Sequence, residues 1–118
     1  MNGHVNVVKL MIDRGADLTA TDSNGKNSLM NASFSGHVEV VRLLLERGAH
    51  METKDNDGWT ALIFASAGGN LNVVKLLIDR GAEVMAKNAI GENALALAMK
   101  NEKDDLIAPL EAAQKVRA

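Results

Sequence analysis

The stretch Asp55–Lys87, DNDGWTALIFASAGGNLNVVKLLIDRGAEVMAK, decides how the rest of the chain is read. Asp55 and Gly58 stand at the first and fourth places of a type I turn, where Asp caps and Gly closes. Thr60 is then placed to act as N-cap of a helix over about 61–67, accepting from N–H groups that have no partner inside the helix. Gly68 and Gly69 break that helix. Val73, Val74, Leu76, Leu77 and Ile78 form a second apolar run of helical length, and Gly81 sits where a left-handed residue ends a helix. Two short helices that are apolar on the same side cannot bury their own faces. The unit needs neighbours.

The neighbours are copies. A shift of 33 residues brings Gly3, Gly36 and Gly69 into one column, Gly15, Gly48 and Gly81 into a second, and Gly25, Gly58 and Gly91 into a third. Residues 3–32, 36–65 and 69–98 are identical at ten of thirty positions, namely those of Gly3, Val7, Val8, Leu10, Arg14, Gly15, Ala16, Gly25, Leu29 and Ala32. A 33-residue period built from a turn and two helices is the signature of ankyrin repeats, and the chain resembles that family over essentially its whole length. The family's G-x-T-P-L-H-x-A pattern corresponds to Gly25–Ala32, Gly58–Ala65 and Gly91–Ala98. Leu and Ala keep their places, the Thr survives only as Thr60, and the Pro is lost from all three. Its His is replaced by Met30, Ile63 and Ala96, so apolar packing, with Asn27 and Asn93 as N-caps, stands in for the hydrogen bonds that the resemblance implies.

The expected architecture is all-α: an ankyrin-repeat α-solenoid of stacked helix pairs with short projecting β-turn fingers. The expected units are a partial N-terminal repeat at 1–21, repeats at 22–54 and 55–87, and a divergent capping repeat at 88–118. Met1–Gly3 align with the end of a first helix, so the helix over about 5–14 is expected to have a bare apolar face unless earlier repeats cover it. In the last unit Leu106, Ile107 and Leu110 keep the inward pattern, while Pro109 either kinks the second helix or begins it.

At 118 residues with a formal charge of −2, the chain has no basic excess to attract nucleic acid and no acidic tail. It has no cysteine, which excludes disulfides and thiolate metal sites and suits a reducing compartment. No signal peptide and no membrane-length apolar run is present, so an intracellular protein, cytoplasmic with nuclear as the alternative, and without membrane insertion is expected.

Chemistry is hard to assemble. Ala20–Asn27 is the nearest approach to a P-loop, but Ala20 and Asn27 replace the Gly and the Ser or Thr that phosphate and magnesium need. His4 and His37 share a repeat column, and His50 has no evident partner, so none suggests a metal. Asn31-Ala32-Ser33 matches a glycosylation pattern but falls on an expected helix. Asp13, Glu46 and Asp79 follow Lys9, Arg42 and Lys75 by four residues, which points to weak pairs along a solvated face. Thr19, Glu52 and Met85 stand where many ankyrin repeats carry a hydroxylatable Asn. No catalytic residue, cofactor or metal is expected.

The resemblance implies a concave surface made of finger tips and first helices. Residues that vary between copies there do not serve the shared packing, so they are the candidates for recognition. They are Thr21, Ser23, Asn24 and Lys26 in the first finger, Lys54, Asn56, Asp57 and Trp59 in the second, and Lys87, Ala89, Ile90 and Glu92 in the third. The exposed ends of the first helices add Phe34-Ser35, Ala67-Gly68 and Lys100-Asn101. Trp59 has two open roles, as a binding anchor or as packing against an adjacent finger. Phe64 is expected in the core, and Met11, Met30 and Met99 on packed faces. The leading expectation is a non-catalytic protein-interaction scaffold with an unidentified protein partner. The alternative is a regulatory or targeting segment of a larger enzyme or channel. A monomer is expected, with association through the N-terminal helix face as the other option.

Overall fold

The computed structural model describes residues 3–15 and 17–117; Ala16 and the side chains of His4, Val5, Val7, Val8 and Arg117 lie outside the described residues. The helices are α1 (Gly3–Asp13), α2 (Ser28–Ser35), α3 (Val38–Glu46), α4 (Ala61–Ala67), α5 (Leu71–Asp79), α6 (Ala94–Lys100) and α7 (Ile107–Arg117), with a 3-10 turn over Asp104–Leu106 leading into α7. They form two rows. The inner row runs α2, α4, α6; the outer row runs α1, α3, α5 and the 3-10 turn. No strand occurs among the described residues.

Each inner helix starts in the same way. The side chains of Asn27, Thr60 and Asn93 accept from the N–H groups of Met30, Ile63 and Ala96. A side-chain cap of this kind is worth about 1 kcal/mol, which matters for helices of seven or eight residues that are marginal alone. Apolar residues from both rows then close a continuous core that includes Leu29, Val41, Leu44, Leu62, Ala65, Val74, Leu77, Ala98, Leu106 and Leu110. Met30 and Ile63, which replace the family's His, are each about 1% exposed, so apolar packing fills both positions, while Ala96 is only partly buried.

The fingers are held from within and from one another. Oδ1 of Asp22 accepts from the N–H groups of Asn24 and Lys26, Oδ1 of Asp55 from Asp57 and Trp59, and Oδ1 of Asn88 from Ile90 and Glu92. Between fingers, Asn56 N–H donates to the Asn24 carbonyl at 3.0 Å and Ala89 N–H to the Asp57 carbonyl at 2.9 Å. Gly58 must be glycine on two counts. Its φ is +81°, and a Cβ there would stand 2.8 Å from the Ala89 nitrogen.

Three expectations change. Met30 is buried, but Met11 and Met99 are 56% and 58% exposed, so these positions on α1 and α6 are not covered by a helix among the described residues. The carboxylates, among the described residues, do not pair four residues back along their helices. Among the described residues, Asp13 pairs with Arg47 of the next unit and Arg42 pairs with Glu39 at 3.5 Å. Arg47 follows α3 directly and reaches across the outer row, a cross-repeat partner that spacing within one helix does not disclose. Pro109 neither kinks α7 nor begins it. It is the third residue of α7, within the first turn, where a missing N–H costs little.

Candidate functional site

None of the eighteen candidate residues is buried. Five gather around an open cleft of about 420 Å³: Lys26 from the first finger, Asp57 and Trp59 from the second, Ala89 and Ile90 from the third. Asp55, Phe64 and Asn88 complete its lining.

The cleft is built from local rules. The Asp55 turn tethers the backbone of Asp57 and Trp59, which fixes where both side chains start. The N-cap at Thr60 launches α4, and Phe64 follows one turn later. Trp59 then rests on Phe64 with ring centroids 4.9 Å apart and planes tilted by 48°. Phe34, at the end of α2 and 54% exposed, meets the same Phe64 edge-to-face at 6.2 Å. Lys26 Nζ stands 5.4 Å from the Phe64 ring centroid, within reach of a cation–π interaction. Trp59 is half-buried against Phe64 of its own unit rather than against an adjacent finger, and it also borders the cleft.

Several other candidates spend part of their polar capacity on the stack. Asn56 donates from Nδ2 to the Ser23 carbonyl at 3.1 Å, and Lys54 from Nζ to the Lys87 carbonyl at 3.1 Å. Asn101 donates from Nδ2 to the Ala67 carbonyl at 3.2 Å. Gly68 lies against the Phe34 carbonyl, where a Cβ would come within 2.7 Å. Glu92 accepts from Asn88 Nδ2 at 3.1 Å and pairs with Lys100 at 3.2 Å. The Asn88 hydrogen bond first, and then the Lys100 ammonium, hold the Glu92 carboxyl below the usual glutamate range. Thr21, Ser23, Asn24, Ser35 and Lys87 are exposed away from the cleft.

Phe64 is the residue that sequence reasoning undervalued. It is buried, as expected, yet it is also the shared floor on which Trp59, Phe34 and Lys26 rest. The signal was present, since its column holds Asn31 and Leu97, neither of them aromatic.

Two rows of helices joined by projecting turns, repeated at a fixed period, define a helical repeat solenoid. A sequence model of ankyrin repeats in many copies matches residues 1–45 and 29–78, and the chain belongs to the ankyrin-repeat family. No curated protein gave a significant match to the chain. Ankyrin repeats are generally protein–protein interaction modules and typically non-catalytic scaffolds. Among the described residues, no helix is long and apolar enough to cross a membrane, and no group of three or more His, Asp or Glu is placed to hold a metal ion.

Proposed function

We propose that this chain is a non-catalytic recognition module that binds a protein partner across its fingers and inner helices, with the Trp59 cleft at the centre. One observation carries the reading: a half-buried indole and a 76% exposed Ile90 border one cleft, in columns that hold only polar or charged residues in the other units. Aromatic side chains that are partly packed and partly open are the usual hot spots of protein interfaces. The turn hydrogen bonds and the Phe64 floor order these side chains in advance, so binding loses little further conformational entropy.

Affinity capture from cell extract tests this, with the wild type, Trp59→Ala, Ile90→Ser and the outer-helix control Lys75→Ala as baits. A protein retained by wild type and Lys75→Ala but lost from both cleft variants is the expected outcome. Identical retention on all four baits would remove the cleft from the interface.

A further inference from the structure

We propose that the cleft takes an arginine side chain presented by the partner. This rests on the interaction reading above and adds the chemistry of the anchoring group.

Three features converge on a planar cation carried on an apolar stem. The first is aromatic. Trp59 is the partly open ring, packed on the buried Phe64, and this aromatic pair already holds a cation, Lys26 Nζ at 5.4 Å from the Phe64 centroid. Ring faces attract cations, and a guanidinium also stacks on them. The second is an available carboxylate. Asp57 lines the cleft and is exposed, and its carboxylate makes no hydrogen bond or ion pair among the described residues. Its backbone is nevertheless anchored, the N–H donating to Asp55 and the carbonyl accepting from Ala89, so this acceptor stands on a fixed base. Asp55 differs, because its Oδ1 already serves two N–H groups of its own turn. The third is Ile90, whose large exposed side chain borders the same cleft and offers apolar cover to the methylene stem of an arginine.

Competing anchors fit less well. A carboxylate would meet Asp57. A purely apolar side chain would cover the Asp57 carboxylate without replacing its water. A lysine would supply charge, but not the flat face or the fork of donors that stacking on Trp59 and bonding to Asp57 together require. Lys26 is a like charge beside the site, so an incoming arginine binds against its repulsion.

Trp59 is the only tryptophan of the chain, so its emission reports on the cleft directly. The probes are capped pentapeptides, Gly-Gly-X-Gly-Gly, with X as arginine, lysine, norleucine or glutamate, titrated at constant ionic strength. The arginine peptide is expected to shift Trp59 emission and to saturate about tenfold tighter than norleucine, the combined effect of an exposed cation–π contact and a charge-assisted hydrogen bond. Asp57→Asn should remove most of that preference, and Lys26→Gln should tighten arginine binding about two- to threefold, as loss of a nearby like charge in a solvated cleft implies. Circular dichroism of both variants checks that the fold is retained. Equal or tighter binding of the norleucine, lysine or glutamate peptide would overturn the arginine assignment, as would a Trp59 signal that ignores the arginine peptide. Separate failures are distinguishable. Trp59-dependent capture of a protein without arginine preference sinks this inference alone, whereas arginine preference without any Trp59-dependent capture sinks the interaction reading.

Discussion

Gly69 and Glu102 occupy the same place in successive units, and both turn left-handed, at φ +72° and +58°. The glycine does this without strain; the glutamate is the one non-glycine residue with positive φ among those described. The contrast extends through both units. After Gly69, Asn70 donates from Nδ2 to the carbonyls of Ser33 at 2.8 Å and Phe34 at 2.7 Å, clasping the previous inner helix. After Glu102, Lys103 stands in that place and lays its stem against Gly69. The central outer helix α5 begins as an α-helix, whereas its counterpart begins with a 3-10 turn before α7. Packing against the preceding unit imposes the repeat's shape even where the last unit lacks the residues that favour it.

That difference can be broken first at the core. Leu77 is fully buried between units, while Leu110, equally buried, belongs to the unit that ends the rows. Leu77→Ala should cost about 3 kcal/mol and Leu110→Ala about 2 kcal/mol, since an outer unit relaxes into a cavity more readily. Urea denaturation of the two variants measures both, and equal costs would remove the distinction.

The fingers give the next largest effect. Gly58 and Gly91 share a column and a positive φ, but a Cβ on Gly58 meets the Ala89 backbone while one on Gly91 meets nothing within 4 Å. Gly58→Ala should therefore destabilise by about 2 kcal/mol or more, and Gly91→Ala by only about 1 kcal/mol, the cost of the left-handed backbone alone. Similar melting temperatures for the two would show that the ladder between fingers does not constrain them.

A smaller change runs in the other direction. Glu102→Gly relieves the left-handed strain and should raise stability by about 0.5–1 kcal/mol after the added freedom of the unfolded chain is allowed for. A fall in the thermal midpoint would mean that the Glu102 side chain contributes more than its backbone costs.

The smallest effect is a pH dependence. The Glu92 carboxyl is depressed in the folded chain by Asn88 and Lys100, so its stabilisation is complete above the ordinary glutamate range and is lost as pH falls through the lower folded value. Glu92→Gln should therefore flatten the acid side of the stability curve slightly. Thermal midpoints of the variant and wild type between pH 7 and pH 3 make the comparison, and parallel curves would contradict it.

Much of this architecture was legible in the sequence, because the glycine columns, the Leu and Ala columns and the caps at Asn27, Thr60 and Asn93 each obey a local rule. Pro109 was harder to place, since its position within α7 depends on how the 3-10 turn docks against α5 and α6. Met99 misled for a related reason. Its column packs Ser66 inside the stack but leaves the same position open on α6, and a column records chemistry without recording what packs on each unit. The candidate site was readable as a set of varying positions. Its convergence on Phe64 was not, because that depends on Trp59, Phe34 and Lys26 arriving from three different segments.

The most direct test of a recognition surface centred on the cleft is the affinity of a captured partner for Trp59→Ala, measured together with the thermal midpoint of the variant. Loss of about 2 kcal/mol, roughly a thirtyfold rise in Kd, is expected of a hot spot, with only a modest fall in midpoint from the lost contact with Phe64. An unchanged Kd with a clearly lowered midpoint would make Trp59 a packing residue and place recognition elsewhere.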